Sequence, residues 1–480
     1  MRPFLLKDKK FMSNIEKIRS TITNQTNSPT ESPQQKLQTF IELTHTSAQK
    51  QTKLKVGKIN SKVKKLKKTQ DKLTEKANTS SSEEMRSTLK MASLISNEIQ
   101  LIQSATFNNS QDSMRANKHL YSEMINKFWC TNGKEKKNHD TIMELCLLES
   151  SPMEYSENSS TMANEMASYH HNLQCPDPNT NNLDQTTAIT SLLANMPHLP
   201  KHLRCALSEK ITYSKVETAL KNSPNNKAAG VNGIPTNLLK ELHKLHNQNI
   251  KKNIPSFNII NLLKDAYNNI EENGISSPNI QNSWLCPLYK KGDCCEIPNY
   301  RPITVLNTEY KILTTSIMSK ISEAAPSLIH KTQVAFVRGC SIFNQIDLAK
   351  RMINLCHIKN QNRVIILLDQ EKAYDKIKHN YLWNTLKAAG LPPNLISTIK
   401  HLYSNTSSRV ILNGQISESF TIGKGICQGD PLLSILFNFA IEPLSNLIRS
   451  SDSIKGLKIN TPSSMHRVTS PSLQMMPQSS

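Results

Sequence analysis

The stretch from Val364 to Asp375 reads VIILLDQEKAYD, and the stretch from Gly423 to Leu433 reads GKGICQGDPLL. The first begins with five aliphatic residues and supplies a carboxylate, Asp369, directly after them. Such a run predicts a fully buried β-strand, and a carboxylate at the end of a strand can hold a hard cation such as Mg²⁺. Taken alone, however, an ordinary aspartate at a strand end is the more common explanation.

Helices are predicted on both sides of these stretches. The segment from His379 to Ala389 predicts a helix that Gly390 stops, and Pro392-Pro393 opens the next one. Pro431 predicts the first position of a helix that runs to about Arg449. Apolar residues three and four apart indicate earlier helices at 215–221, 236–245 and 259–273.

A hairpin is predicted between the two stretches. RVILN at 409–413 and ESFTI at 418–422 have strand composition, and Asn413-Gly414 suits a tight turn between them. Three glycines follow, at positions 423, 425 and 429, with Gln428 and Asp430 beside them. Glycines at this density allow a backbone to approach a substrate closely, although a simple tight turn is the alternative explanation.

The chain is strongly basic. It has 480 residues, of which 59 are Lys or Arg and 38 are Asp or Glu, and its formal net charge is +21. Lys and Arg gain affinity for nucleic acid by releasing counterions from phosphates, so nucleic acid is the leading partner. A solubilising surface is the alternative. Residues 1–80 alone carry 18 basic and 6 acidic side chains, a surplus of 12.

Part of this basic region predicts an amphipathic helix or a short coiled coil. Apolar residues and one glutamine recur at spacings of three and four, while lysines cover the other faces. A solvated helix that packs on its own protein is the alternative. The stripe comprises Val56, Ile59, Val63, Leu66, Gln70 and Leu73, and the lysines are Lys62, Lys64, Lys65, Lys67 and Lys68.

Other function classes are disfavoured by composition. No apolar run approaches the ~20 residues that span a bilayer, and the start MRPFLLKDKK lacks the apolar core of a secretory signal. We therefore expect no membrane partner and an intracellular protein of the nucleus or cytoplasm. The ten cysteines form no Cys-x-x-Cys and no Cys/His cluster at zinc spacing, so we expect reduced, mostly structural thiols. Segments rich in Ser, Asn and Thr predict loops at 79–84, 150–161 and 176–187.

The order of several segments identifies a family. The two opening stretches are preceded by NKAAGVNGIPTNLLKEL at 226–242, WLCPLYKKGD at 284–293, NYRPITVLN at 299–307 and QVAFVRGCSIFNQI at 333–346. In this order, most of residues 220–460 resembles the reverse transcriptases of non-LTR (LINE-type) retrotransposons. Asn232 departs from the pattern, because the family usually has Asp there. Telomerase and intron-encoded relatives are disfavoured by the spacing of the motifs.

The resemblance implies a role for each matching residue. Asp369 would be the metal-binding catalytic carboxylate, with Mg²⁺ as cofactor, and Tyr374 would exclude a 2′-hydroxyl from the incoming sugar. Arg301, Lys290 and Lys291 would grip the nucleotide triphosphate, although the two lysines could equally form a solvated basic turn. Gln428 and Gly429 would position the template and the incoming base. The implied partners are an RNA template, a DNA primer and deoxynucleoside triphosphates.

One family motif is missing from the sequence. The family completes its metal site with a Phe/Tyr-Ala-Asp-Asp hairpin, which should follow IKGLKIN at 454–460, yet the 480 residues contain no Asp-Asp pair. Met475-Met476 must be encoded ATGATG. With Ser472 as TCT, Leu473 as TTG and Gln474 as CAG, another reading frame encodes Phe-Ala-Asp-Asp-Ala. We therefore hypothesise that the chain from about Ser463 is an out-of-frame translation of this hairpin, and an unrelated polar tail is the alternative.

These observations define the expected organisation. The fold class is α+β, with the fingers and incomplete palm of a right-hand polymerase preceded by a helical, partly disordered basic region. We expect a basic helical region at 1–80, a variable polar linker at 81–190, the reverse transcriptase at 191–460 and the tail at 461–480. Residues 1–190 show no candidate endonuclease, so we expect an internal piece of a longer element protein. It would be an inactive polymerase, a nucleic-acid-binding remnant or a relic without function.

Overall fold

A computed structural model shows a mixed α and β protein. The chain divides into two compact units, one of residues 1–15 and 44–140 and the other of residues 16–43 and 141–480. The structure describes residues 5–6, 8–24, 31–78, 91, 93–97, 141–148, 154–175, 182–337, 339–360, 363–454, 457–461 and 464–468. Among the described helices, none has the length and the apolar composition needed to cross a bilayer.

The basic N-terminal region forms two helices, α1 (Lys9–Asn24) and α2 (Pro33–Asn78). Asp8 caps α1, because its Oδ1 accepts hydrogen bonds from the N–H groups of Lys10 at 2.8 Å and Phe11 at 3.0 Å. The helix predicted for the lysine-rich segment is confirmed, and α2 is longer than the periodicity indicated. Leu66 and Leu73 are half-buried, whereas the five lysines between 62 and 68 are exposed.

The helices that precede the main sheet agree with the apolar spacing. The helices predicted at 215–221, 236–245 and 259–273 are confirmed. The last two of the six helices here bury leucines and isoleucines along one face. The six helices are α3 (Ser159–Gln174), α4 (Asn182–Leu193), α5 (Lys201–Ser208), α6 (Tyr213–Asn222), α7 (Thr236–Lys251) and α8 (Ile259–Asn273).

Two of the loop predictions are wrong in part. Residues 159–161 begin α3, which the Asn158 side chain caps, and residues 182–187 belong to α4. Polar composition was misleading at α3, because a few apolar residues three and four apart, such as Met162 and Met166, are enough to bury one helix face. The loop predicted at 79–84 lies outside the described residues.

The strands of the main sheet are β3 (Ser283–Tyr289), β4 (Tyr300–Val305), β5 (Ser407–Leu412), β6 (Gln415–Ile416) and β7 (Phe420–Thr421). The sheet is mixed, with the strand order β4-β3-β5-β6 and β7 also pairing with β5. β3 runs antiparallel to β4, with Leu288 opposite Arg301, and parallel to β5, with Trp284 opposite Arg409. α3 covers one face of this sheet, and its apolar residues belong to the core.

A small two-stranded ladder lies beside this core. β1 (Leu145–Cys146) pairs with β2 (Tyr155–Ser156) in the antiparallel sense. Leu145 is fully buried and belongs to the same apolar cluster as Leu285 and Val410 of the main sheet. The residues just after position 140 are therefore part of the folded core.

The predicted hairpin is confirmed. Asn413 and Gly414 both take positive φ angles, 49° and 83°, as a two-residue turn between twisted strands requires. β5 pairs with β6 directly after this turn and with β7 further on. The Asn413 side chain also donates to the Ile142 carbonyl at 2.7 Å, which ties the turn to the segment before β1.

The later helices of this unit are α9 (Thr308–Ala324), α10 (Ile342–Ile358), α11 (His379–Ala388), α12 (Pro393–Tyr403) and α13 (Leu433–Ser450). α11 ends close to its predicted stop, where Gly390 takes a φ of 81°, and α13 begins two residues after Pro431. Shifts of one or two residues are normal at helix ends.

The buried strand predicted at Val364–Leu368 is wrong in this structure. Residues 363–370 form no helix or strand, and the five aliphatic side chains are between 61% and 90% exposed. A β-strand is buried only when neighbouring strands satisfy its backbone groups and other side chains cover its faces. Within the described part of the chain, no strand pairs with this segment.

The last described residues form a separate antiparallel ladder. β8 (Leu457–Thr461) pairs with β9 (Ser464–Val468), with Thr461 opposite Ser464. The codons on which the frameshift hypothesis depends encode residues 472–476, which lie outside the described part of the chain. The out-of-frame interpretation of the tail therefore stays a hypothesis, and the division of the chain into four regions stays a prediction.

Candidate active site

The candidate site is built on the loop 371–378, which joins the exposed aliphatic segment to α11. Lys372 takes a left-handed backbone conformation with a φ of 47°. Its carbonyl accepts hydrogen bonds from the N–H groups of Asp375 at 3.0 Å and Lys376 at 3.1 Å. The loop is therefore a hydrogen-bonded turn that fixes the positions of Tyr374 and Asp375.

The glycine-rich segment is bonded directly to this turn. Gly425 donates its N–H to the Ile377 carbonyl at 2.7 Å, and Ile426 donates to the Tyr374 carbonyl at 2.9 Å. Gly425 has a φ of 87°, and a Cβ atom there would lie 2.7 Å from the carbonyl oxygen of Asp375. Only glycine satisfies both the conformation and the close approach.

The same segment is bonded on its other side to β4. Thr304 donates its N–H to the Gln428 carbonyl at 2.7 Å. A Cβ atom on Gly429, whose φ is 131°, would collide with the Thr304 carbonyl oxygen. Since Arg301 lies on the same strand, these contacts bring the Gln428-Gly429 pair and the strand of Arg301 into one assembly.

Asp375 is a second carboxylate that sequence reasoning did not select. It is 5% exposed, and the Gln428 side-chain amide donates to its Oδ2 at 3.3 Å. Burial raises the pKa of Asp375 to about 6, although Lys372 and the Gln428 hydrogen bond act in the opposite direction. The sequence contained the residue in the DQEKAYD stretch but offered no signal that it would be buried.

Asp430, which follows Gly429 in the sequence, is buried. Its Oδ2 accepts hydrogen bonds from the hydroxyls of Tyr403 at 2.7 Å and Tyr310 at 3.3 Å. Its Oδ1 accepts from the N–H of Leu432 at 2.9 Å. Asp430 therefore fastens the glycine segment to α9 and α12, and burial raises the pKa of its carboxyl.

Tyr374 is half-buried beside the glycine segment. Its ring packs edge-on against Phe437 of α13, with the ring centroids 5.0 Å apart and an interplanar angle of 70°. Burial raises the pKa of its hydroxyl. Packing against Phe437 holds the Tyr374 ring, and the hydrogen bond from the Ile426 N–H holds its backbone carbonyl. The orientation of the Tyr374 side chain is therefore fixed.

The three predicted phosphate-binding cations share one hairpin. Lys290 and Lys291 are exposed and follow β3 directly, whereas Arg301 is half-buried on β4. The ladder continues past the end of β3, because Lys290 donates its N–H to the Asn299 carbonyl at 3.0 Å. The hairpin presents all three side chains near its turn, and Thr304 further along β4 connects it to Gln428.

Asp369 is not brought into this assembly. It is exposed, and it follows the exposed aliphatic segment. Gln370, the next residue, lines an open cavity of about 390 Å³ together with Ile377, Tyr381 and Phe437. The chain therefore reaches the edge of the candidate site immediately after Asp369, while the aspartate itself remains in solvent.

The described residues do not fit a magnesium pair at this position. A hard cation requires several oxygen ligands at once. Among the described residues, no group of three His, Cys, Asp or Glu side chains with converging ligand atoms includes Asp369. Asp375 offers a buried carboxylate already bonded to Gln428, and Asp430 is fully committed to the two tyrosines and Leu432.

Comparison with known proteins identifies the region that contains this site. Residues 289–460 match the family model described as "Reverse transcriptase (RNA-dependent DNA polymerase)". The match begins at the end of β3 and therefore includes all of the site residues predicted from the sequence. It ends at Asn460, within β8.

Curated relatives extend the similarity beyond that region. The "Transposon TX1 uncharacterized 149 kDa protein" of Xenopus laevis is 27% identical over 336 residues, which are 70% of this chain and 24% of the relative. The Pol polyprotein "from type-2 retrotransposable element R2DM" of Drosophila melanogaster is 25% identical over 161 residues, 34% of this chain and 15% of the relative. The chain therefore spans about a quarter or less of the length of these relatives.

The contact between Gly425 and Asp375 can be tested with two matched alanine variants. Gly425 and Gly414 have φ angles of 87° and 83°, but a Cβ atom on Gly414 would meet nothing within 4 Å. We expect Gly414→Ala to cost about 1 kcal/mol for its backbone conformation alone. Gly425→Ala should cost at least ~1 kcal/mol more, because the turn must also move.

Urea unfolding of the two variants beside the parent chain measures both changes in the free energy of unfolding. Equal losses would contradict a close packing of the glycine segment on the Asp375 turn.

The raised pKa of Asp375 predicts a pH dependence of stability. Because its pKa is about 6 in the folded chain against an ordinary value of 3.8, the unfolded chain loses this proton at lower pH. Protonated Asp375 therefore contributes fully to the stability of the folded chain below pH 3.8, and this contribution is lost as pH rises to about 6. Asp375→Asn cannot ionise, and we expect it to gain stability relative to the parent by ~2 kcal/mol between pH 4 and 7.

Urea unfolding of both proteins across this pH range tests the expectation. Parallel pH profiles for the parent and Asp375→Asn would show that the carboxylate is solvated rather than buried.

Proposed function

We propose that this chain, which carries a reverse transcriptase domain of the non-LTR retrotransposon type, binds an RNA template and its DNA primer but does not extend the primer as the 480-residue polypeptide. Reverse transcriptases as a family depend on divalent metal ions and act on nucleic acid and nucleotides. In this proposal, the lysines of α2 support RNA binding, whereas primer extension would need Asp369 and further carboxylates in working positions.

The observation that carries the inactivity is the exposure of Val364–Leu368 together with Asp369. A catalytic carboxylate must be held within a fraction of an ångström of its working position by the elements that bear it. Here the residues before Asp369 have no strand partner in the described part of the chain. The sequence also lacks the Asp-Asp pair that supplies the other carboxylates in this family.

The proposed nucleotide-binding residues have more support than the proposed metal ligand Asp369. In this proposal, the β3–β4 hairpin with the preceding helices acts as the fingers, and the residues from 364 to 460 act as an incomplete palm. Arg301, Lys290 and Lys291 would contact the triphosphate, with Arg301 as the bidentate group. Tyr374, Gln428 and Gly429 would face the sugar and the base pair. Their support is the hydrogen-bonded arrangement of the turn, the glycine segment and β4.

Nucleic-acid binding rests on charge. Within α2, the lysines at 62, 64, 65, 67, 68 and 72 are all exposed. A helix that exposes this many lysines over so short a length can contact phosphates of either strand without reading sequence. Leu66 and Leu73 are half-buried, which distinguishes α2 from a uniformly charged helix. The family assignment does not depend on α2.

The role of α2 can be tested by changing its lysines to glutamine. We expect the variant with Gln at positions 62, 64, 65, 67 and 68 to bind single-stranded RNA more weakly and to lose up to about three from the slope of log affinity against log salt. The control changes the same number of exposed lysines outside α2, namely Lys201, Lys251, Lys252, Lys359 and Lys400. Fluorescence anisotropy at several salt concentrations measures the slopes.

Deletion of residues 1–80, which carry 18 basic side chains, should also weaken RNA binding and flatten its salt dependence. Equal slopes for the α2 variant and the control would show that the RNA affinity comes from overall charge rather than from this helix.

Catalysis can be tested by primer extension on an RNA template with Mg²⁺. We expect no incorporation by the 480-residue chain and incorporation by a chain in which the Asp-Asp reading frame and downstream sequence are restored. Asp369→Ala in the restored chain should abolish that activity. Robust incorporation by the 480-residue chain, lost on Asp369→Ala, would show that other carboxylates complete the site and would contradict the proposal.

A further inference from the structure

A cluster of side chains that could bind a metal ion lies at the turn between β3 and β4, shortly after Lys290 and Lys291. The turn carries Asp293, Cys294 and Cys295 in succession. One ligand atom from each side chain, a carboxylate oxygen or a sulfur, lies within 4.8 Å of the others. Three adjacent residues bring their donors together because the turn reverses the chain between two paired strands.

A fourth donor comes from a distant part of the sequence. Glu144, 151 residues earlier, lies just before β1, and its Oε1 is 3.5 Å from the Cys295 sulfur. This approach is supported by the backbone, since Cys146 of β1 donates its N–H to the Cys295 carbonyl at 2.8 Å. The donors therefore converge from two segments that the fold holds together.

The backbone of the turn is fixed by several hydrogen bonds. Cys295 donates its N–H to Asp293 Oδ1 at 2.9 Å, and the Tyr300 hydroxyl donates to the Cys294 carbonyl at 2.5 Å. The Asn299 side-chain amide donates to the Asp293 carbonyl at 2.9 Å. A turn that is ordered in this way loses little conformational freedom when a ligand binds.

We propose that Glu144, Asp293, Cys294 and Cys295 form a zinc site that joins the β3–β4 turn to the segment before β1. Two thiolates and two carboxylate oxygens suit a borderline-soft ion with tetrahedral preference, whereas Mg²⁺ and Ca²⁺ require oxygen ligands throughout. Donors of a tetrahedral zinc ion lie roughly 3.4–3.8 Å apart. The three donors of the turn lie within 4.8 Å of one another and Glu144 Oε1 lies 3.5 Å from the Cys295 sulfur, so a bound ion would draw the four donors closer together.

The proposed site does not depend on polymerase activity. The turn directly follows Lys290 and Lys291, so a bound ion would also limit the movement of these lysines. The cysteine pattern disfavoured zinc, because two adjacent cysteines without Cys-x-x-Cys spacing give no motif. The missing donor, Glu144, becomes visible only when the fold brings β1 to the turn.

The test uses the full chain, reduced and freed of metal by a chelator, with Co²⁺ as the spectroscopic probe for zinc. We expect one equivalent to produce the thiolate-to-cobalt absorption of the near ultraviolet and the intense visible bands of tetrahedral Co²⁺. The double variant Cys294→Ser, Cys295→Ser should lose both. Glu144→Gln should weaken zinc affinity at least tenfold in competition with a chelator.

The control is the double variant Cys205→Ser, Cys340→Ser, which removes two exposed cysteines outside the cluster. It should keep the parent spectrum and stoichiometry, and zinc should raise the melting temperature of this control but not of the Cys294/Cys295 variant. An unchanged spectrum in the Cys294/Cys295 variant, or parent affinity in Glu144→Gln, would overturn the proposed set of ligands.

Discussion

The backbone of an extended segment must have hydrogen-bond partners before its side chains can be buried. This constraint separates the strands of the main sheet from the exposed segment Val364–Leu368. Where partners exist, as for β3 between β4 and β5, the aliphatic and aromatic residues enter a common core with α3. Where they are lacking in the described part of the chain, as at Val364–Leu368, the most apolar run in the sequence lies in solvent. Unpaired buried amide and carbonyl groups would cost more than burial of these side chains returns.

The turn with Tyr374, the glycine segment and β4 do not depend on the segment Val364–Leu368. The turn that carries Tyr374 is bonded to Gly425 and Ile426, and the glycine segment is bonded in turn to Thr304 of β4. Asp430 then fastens the segment to two tyrosines in the helical core. These short backbone and side-chain contacts join elements that are themselves well packed. They hold Tyr374 and Gln428 in place, whereas Asp369 is exposed.

Much of the architecture could be predicted from local sequence signals. The helix at 259–273, the Asn413-Gly414 hairpin and the helix boundary at Gly390 follow from apolar spacing and from the conformations that glycine and asparagine adopt. Local signals also indicated helices at 215–221 and 236–245. Each of these features is decided within about fifteen residues of chain, the range over which periodicity is informative.

The features that could not be predicted depend on contacts between distant segments. Composition indicates that VIILL is a strand but contains no information on whether neighbours are available. Asp375 and Asp430 look alike in sequence as carboxylates beside the motifs, and their burial follows from Gln428, Tyr310 and Tyr403. Polar residues in the segment 150–161 predicted a loop. The helix that begins at Ser159 is instead stabilised by the sheet that it covers, and local composition contains no information on that contact.

The family resemblance implied residue roles that local sequence signals could not supply. It named the roles of residues such as Arg301 and Gln428, and the structure adds the contacts through which they are joined. It also implied a metal-binding role for Asp369, which is exposed in this structure. One physical condition is therefore central: the segment before Asp369 has no strand partner within the described residues.

Hydrogen–deuterium exchange of the 480-residue chain tests that condition most directly. We expect the amides of residues 363–370 to exchange at nearly the rate of an unstructured peptide. Those of β3 (Ser283–Tyr289) should be protected, because the strand pairs with β4 along most of its length and with β5 at residues 283–285. Protection of residues 363–370 comparable to that of β3 would mean that the segment is a paired, buried strand, and it would contradict both the exposure of Asp369 and the proposed loss of catalysis.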